Sequence, residues 1–523
     1  MSRQVFIGSI LAVVATALLA VASTHRVFAQ VIDEPIHIAA GYDYLRTGRD
    51  LYDIEHPPLP RLLAALPLWL GGVTPPAETD RVQRGNALLT GGRYEANLAR
   101  ARMGNLLFLA VAVVCVAEWA RRLRRPSAAI SAAILFASLP PVLAHAGVAT
   151  TDMAGAATVV AALLALRVWL EYSTWPRATL LGIAIGAGLL SKFSFVPFFL
   201  AGALVVLMMA SRGSGGRLSS VAAIGAALLV VWGGYRFDFG TIAGVRPNAP
   251  ELVAAVVPAA MEAGAVRFAR EIPIPAPLFA AGLLEVRRHD LRGHSAYLFG
   301  EKSETGWWYY FPVALLFKTP LPFLLLAIAG CFLERRVALM PALIALAILL
   351  AAMTASIDTG VRHILPVYAF LAIAAGAGAE GLWRQRHAMA RVMSVALFAW
   401  QLVGTGAAYP DYMAWFNEAA GRDPGRIVAG SNFDWGQDVL RLRGFLRQQN
   451  AGDMTAMIFT NADLDRLGFP PRAEVRLDAP PRGWLAISET MLAMARADGL
   501  ALPWLEPHSY RRIGKTIRVY YLQ

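Results

Sequence analysis

Long apolar runs recur along this chain, separated by short basic clusters, and that alternation constrains the fold more than any other feature. A hydrocarbon core about 30 Å thick is crossed by a helix of about 20 apolar residues. Counting on that basis predicts about eleven spans, near residues 5–28, 102–120, 127–144, 152–171, 178–190, 193–210, 219–236, 313–333, 337–355, 364–382 and 388–408. The fifth and sixth form one apolar stretch broken by Ser191-Lys192. A lysine in mid-bilayer is expensive, so Lys192 is read as a turn between two helices. Composition agrees: charged residues are 16% of the 523, below the roughly 25% of soluble domains, and apolar residues are 57%. These figures exclude a string of ordinary soluble domains and also a disordered chain. The net charge of +12 reads as membrane topology rather than nucleic-acid binding, because the basic residues fall between spans. Cys115 and Cys331 lie inside apolar runs, against a disulfide framework or a thiolate metal site.

With eleven spans, one set of loops collects Arg3, then Arg121, Arg122, Arg124 and Arg125, then Arg177, Arg212 and Arg217, then Arg335 and Arg336, then Arg384, Arg386 and Arg391. That side is expected to be cytoplasmic. The opposite side, the periplasm in a bacterium, receives segments 29–101, 237–312 and 409–523. The expected architecture is an all-α polytopic membrane module over 1–408 and a small periplasmic α/β domain over 409–523. The latter is read as helices near 436–448 and 489–498, with strands near 455–459, 484–488 and 516–522. Residues 35–49 suit a short amphipathic helix, and 59–70 a helix in the interface. The first apolar stretch, with Val27-Phe28-Ala29, also fits a signal peptide cut after Ala29; the many spans that follow favour a retained helix.

Ionisable residues gather at the outer ends of these spans. Asp33-Glu34 directly follows the first span, where a carboxylate serves as general base, metal ligand or helix cap. Glu55-His56 precedes Pro57-Pro58, which display the pair rigidly. Asp152, after Thr151, opens the fourth span close after His145. Asp358-Thr359-Gly360 leads into Arg362-His363, and the planar fork of an arginine suits phosphate. Lys192 and Lys318 are further cations at predicted outer ends. Capping or snorkelling explains each residue singly better than it explains the set. His294 is a candidate metal ligand with Glu55, although two ligands do not define a site. No P-loop, GxSxG, HExxH or dinucleotide fingerprint is present.

Taken together, Asp33-Glu34, His56-Pro57-Pro58-Leu59, Thr151-Asp152, Gly306-Trp307-Trp308-Tyr309-Tyr310-Phe311-Pro312 with Lys318-Thr319-Pro320, Arg362-His363-Ile364-Leu365-Pro366 and the tail segment Ser431-Asn432-Phe433-Asp434-Trp435-Gly436-Gln437-Asp438 resemble the bacterial family 39 glycosyltransferases. These are relatives of the protein O-mannosyltransferases and of the aminoarabinose transferase that modifies lipid A. The resemblance implies a GT-C-like membrane fold and a polyprenyl-phosphate-linked sugar as donor. The acceptor would be a periplasmic lipid, glycan or protein hydroxyl. It maps the catalytic carboxylate to Asp33, with Glu34 beside it and Asp152 as a second acid. Donor-phosphate contacts map to Arg362 and His363, with Lys192, Lys318, Glu55 and His56 as further members. In the aminoarabinose branch the residue before Pro-Pro is basic in the manner of lysine; here it is His56. Metal dependence stays open. The rival reading is a transporter or flippase of a lipid-linked sugar, which would instead place ionisable groups near mid-bilayer in repeated halves.

Overall fold

The computed structural model describes residues 2–48, 53–74, 80–123, 126–209, 217–476, 479–500 and 502–523. Arg49, Arg124, Arg125 and Arg212 lie outside the described residues. Each of the eleven apolar runs is helical. The first is α1 (Arg3–Ala22), followed in the first outer segment by α2 (Glu34–Thr47), α3 (Pro58–Leu70) and α4 (Arg81–Thr90). Next come α5 (Tyr94–Arg122), α6 (Pro126–Ala137), α7 (Pro140–Ala146), α8 (Asp152–Glu171), α9 (Trp175–Leu189), α10 (Phe195–Met209) and α11 (Ser220–Gly234). The second outer segment carries α12 (Ile242–Val245), α13 (Ala249–Val256), α14 (Ala259–Glu271) and α15 (Pro277–Arg292). Two short antiparallel ladders accompany them, β1 (Phe239–Gly240) with β2 (Ile274–Pro275) and β3 (Ala296–Leu298) with β4 (Glu301–Ser303). The membrane part closes with α16 (Tyr310–Lys318), α17 (Leu321–Leu333), α18 (Arg335–Ala352), α19 (Leu365–Trp383) and α20 (Ala388–Ala408).

The chain is a multi-pass membrane protein, but its spans are less regular than the sequence count. Among the described residues, six helical stretches are long and apolar enough to cross alone: α1, α5, α8, α18, α19 with its leading turn, and α20. Two bent pairs bring the number to eight: α6–α7 turns by 63° and α16–α17 by 108°. Pro140 and Pro320 stand at these bends, since proline removes an amide donor and clashes with the preceding turn. Helices α9, α10 and α11 have 15 residues each, about 22 Å of rise, short of the full core thickness.

Helix α19 is the central pillar: 89% of its apolar window is buried, against 17% for α1 and for α20. It is built of Ala and Gly, which lets neighbours approach closely in a medium where packing replaces the hydrophobic effect. A side chain at Gly378 would overlap the Leu326 carbonyl of α17. Arg122 pairs with Glu171 at 2.8 Å, so the C-terminal ends of α5 and α8 share one face. The N-terminus of α8, the α9–α10 turn and the start of α19 lie at the other.

The tail forms a five-stranded sheet. In chain order its elements are α21 (Val439–Gln448), β5 (Met454–Met457), β6 (Arg472–Glu474), β7 (Gly483–Ser488), α22 (Glu489–Ala497), β8 (Arg511–Ile513) and β9 (Ile517–Leu522). Strand order is β6-β5-β7-β9-β8, with β5 parallel to β6 and β7 and the remaining pairs antiparallel. Strands β6 and β8 are additions to the sequence reading: each is three residues long with mostly exposed positions, too short for an alternating pattern to show. Alternate residues of the sheet face two cores. Leu485, Ile487, Tyr520 and Leu522 pack with α22. Ala486, Ile517 and Val519 pack with α21 in a cluster shared with Ile38 of α2 and Leu88 of α4. The tail is thus docked on the first outer segment, not tethered to it.

Candidate active site

Four ionisable side chains from four separate elements converge at that second face. Arg362, in the turn leading into α19, reaches Asp33 with Nη1 at 2.7 Å and Asp152 at 3.7 Å. Asp152, first residue of α8, also receives Lys192 Nζ at 2.5 Å from the α9–α10 turn, and the Thr150 hydroxyl at 2.9 Å. Asp33 stands at the N-cap position of α2, yet its side chain caps nothing. Asp80 shows what capping looks like here, accepting the amides of Val82 and Gln83 at the start of α4. Asp33 is 26% exposed whereas Asp152 is 1% exposed, so of the two only Asp33 offers an open face. Burial alone would raise the Asp33 pKa; the Arg362 guanidinium, with smaller contributions from His37 and His56, holds it below the usual carboxylate value.

Around this centre, Thr359 Oγ1 accepts from Arg362 Nη2 at 3.4 Å and lies 2.8 Å from His363 Nε2. His363 feels the charges of Lys192, Arg362 and Asp152. The indole of Trp435 covers the guanidinium at 4.4 Å, a cation–π contact. Arg362 Nε is buried without a partner among the described residues. Trp435 comes from the tail motif, which is stitched into the membrane part at several points. Ser431 Oγ donates to the Thr359 carbonyl, and Asn432 accepts the Val361 amide while donating to the Tyr310 hydroxyl. The Trp435 carbonyl accepts the Ile32 amide. Asp358 accepts the Trp307 amide at 2.6 Å, and burial pushes its pKa up to about 6.

Two of the expected site residues are employed elsewhere. Glu34 is fully buried and its carboxylate is saturated: Arg102 binds it through Nε and Nη2, each at 2.8 Å, and the amides of Val31 and Ala149 donate at 2.8 Å. Ala149 belongs to the loop that ends at Asp152, so Glu34 fixes one carboxylate relative to the other. Lys318 likewise gives its ammonium to the carbonyls of Met413, Trp415 and Asn432, and lies 4.2 Å from the Phe416 ring. The three carbonyl acceptors occupy its three N–H donors, and it anchors the segment that carries Trp435.

Glu55 and His56 sit to one side. Glu55 Oε2 is 3.0 Å from His289 Nδ1, and His289 Nε2 is 3.3 Å from His294 Nδ1, so Glu55 and His294 are linked through a histidine the sequence did not single out. His56 Nδ1 is 2.9 Å from Asp53 Oδ2. Sequence reasoning also missed Arg102 and Asp53. Arg102 follows Arg100 at the start of a span, and its partner stands 68 residues away; only the cost of an unpaired buried charge pointed to it.

The model of the dolichyl-phosphate-mannose-protein mannosyltransferase family matches residues 94–233, from α5 to α11. Among curated proteins, none matches by sequence. Among solved structures, ArnT from Cupriavidus metallidurans bound to undecaprenyl phosphate is similar over 98% of both chains, at 14% identity and a TM-score of 0.51. The apo state of the same protein gives 0.50 with equal identity and coverage. The archaeal oligosaccharyltransferase AglB from Archaeoglobus fulgidus aligns over 98% of this chain and 74% of its own, at 13% identity and a TM-score of 0.45. The chain is mostly helical and its fold is similar to that of ArnT over 98% of its length.

Proposed function

We propose that the protein is a glycosyltransferase that moves a sugar from a polyprenyl-phosphate carrier to an acceptor hydroxyl at the outer face of a bacterial inner membrane, with inversion. The observation that carries this reading is the Asp33–Arg362 pair with Asp152 and Lys192 behind it, gathered at one end of the helical bundle. Two cations held by two carboxylates form a balanced set until an anion arrives. A donor phosphate then takes over Arg362, whose Nε has no partner among the described residues, and releases the open face of Asp33. Asp33, ionised because of its neighbour, takes the proton of the acceptor hydroxyl. The acceptor oxygen bonds to the anomeric carbon while the bond from that carbon to the phosphate oxygen breaks, and the phosphate leaves with the electron pair. Arg362 and Lys192 offset the charge that develops on the leaving group. Glu34 and Lys318 position the site without meeting the substrate. The matched mannosyltransferase model and the undecaprenyl phosphate held by ArnT support a lipid-linked donor.

The test is reconstitution of the full chain in liposomes with a radiolabelled polyprenyl-phosphate sugar. Label is expected to pass covalently to an acceptor lipid or glycan at the outer face. Movement of intact lipid-linked sugar across the bilayer without bond cleavage would instead establish the flippase reading.

A further inference from the structure

Next to Asp33, but outside the four-residue cluster, stand three groups that the transfer mechanism does not use. His37 lies one turn into α2, and Asp53 and His56 lie in the loop before α3. One ligand-competent atom from each falls within 4.8 Å of the others, the only such trio among the described residues. The His37 and His56 rings meet edge to face at 4.7 Å. Zinc bonds to nitrogen and oxygen of about 2.0–2.1 Å at the tetrahedral angle put ligand atoms about 3.3 Å apart. The 2.9 Å between His56 Nδ1 and Asp53 Oδ2 is already close to such an edge.

A histidine–aspartate hydrogen bond alone accounts for His56 but not for His37. His37 is only 2% exposed, and its Nδ1 is buried without a partner among the described residues. A buried polar atom left so loses its hydration without recovering it from a partner. With no hydrogen bond holding that nitrogen, a ring flip brings either ring nitrogen toward the cluster. The backbone beneath is rigid. Buried Arg61 donates to the carbonyls of Asp53, His56 and Pro57, so one guanidinium fixes both loop ligands, in the manner of groups that orient a metal's ligands from behind. Helix α2 also comes unusually close to α3: a side chain at Gly41, on the His37 face, would overlap the Arg61 carbonyl. His56 is 30% exposed, which leaves one side of the trio open.

We infer that His37, Asp53 and His56 bind a divalent transition cation of the zinc class, with an open coordination position on the side of His56. A two-histidine, one-carboxylate set suits such borderline ions better than magnesium or calcium, which favour oxygen. A cation here adds positive charge within reach of Asp33, which already feels the fields of His37 and His56. Its consequence for a donor phosphate rests on the transferase reading; the binding itself does not.

The full-length protein, purified through a tag without histidines and stripped with chelator, is titrated with cobalt(II) and then zinc, in the absence of any donor. One equivalent of cobalt is expected, with visible absorption typical of low coordination, displaced by zinc. His56→Gln and Asp53→Asn are expected to weaken cobalt binding by about 100-fold or more, beyond the range of an outer-shell change. Glu55→Gln and His294→Gln are expected to leave it within about threefold. His37→Gln alters a buried ring, so its thermal unfolding is measured beside its cobalt affinity; His56, being partly exposed, carries the decision. Absence of stoichiometric cobalt in the wild type, affinity unchanged in His56→Gln, or loss in Glu55→Gln but not Asp53→Asn would each overturn the assignment. None of these results depends on sugar transfer.

Discussion

Asp33 and Glu34 are adjacent in sequence and opposite in circumstance. Asp33 keeps an open face and a single strong partner, whereas Glu34 is sealed and accepts four N–H groups. The two lysines at outer span ends divide in a related way. Lys192 faces a carboxylate in the cluster, and Lys318 is consumed by backbone carbonyls. A buried ionisable group must be compensated, but the manner of compensation differs. Groups balanced by other movable charges can exchange partners with an anionic substrate. Groups sealed from water and saturated by backbone atoms or a buried counter-charge, as Lys318 and Glu34 are, cannot do so without dismantling the fold.

That contrast is broken most forcefully on its structural side. Arg102→Met leaves Glu34 buried and unpaired, and breaking such a pair costs about 3–5 kcal/mol. Thermal unfolding in detergent should show a collapse of stability; an unaltered midpoint would mean that the clamp is not structural. On the reactive side, Arg362→Ala should weaken donor-lipid binding by the 1.5–3 kcal/mol typical of a charged hydrogen bond, roughly 10–150-fold, with stability little changed. Arg362→Lys should recover part of that loss, and equal affinity in both variants would count against a phosphate contact. Lys318→Met strands three buried carbonyls and should lower stability by about 1–3 kcal/mol for each one that finds no water, while donor affinity per folded molecule stays within about twofold.

The smallest effect concerns pH. Asp434 is buried, and its pKa is raised to about 7 from 3.8. Between those values the folded chain holds a proton that the unfolded chain has lost, so this group's contribution to stability falls as pH rises through that window. Asp434→Asn should flatten that decline in urea or heat denaturation; an unchanged slope would assign the pH dependence to other groups.

Much of the membrane part was legible because hydropathy acts locally. Helix α8 begins at Asp152 and ends at Glu171, where the apolar run does, and Lys192 falls at a turn because its charge could not be buried in a span. The bends at Pro140 and Pro320 shortened the list of single spans. Convergence was less legible. The sequence places Asp33, Asp152, Lys192 and Arg362 at outer span ends, but their grouping depends on how α8, the α9–α10 turn and α19 pack. The tail motif carried a signal without a location: nothing local tells Trp435 to lie over Arg362 instead of in the tail's own core. Saturation was invisible as well, since the amide of Ala149 and the carbonyl of Met413 exist at every position of every sequence.

The central claim is that Asp33 acts as base on an acceptor while Arg362 holds the donor phosphate beside it. Its most direct test is a single-turnover assay of Asp33→Asn with donor prebound. The account predicts donor binding within about threefold of wild type and transfer slowed by about 10²–10⁴-fold, the usual contribution of a general base. Transfer at the wild-type rate from the same bound donor would contradict it.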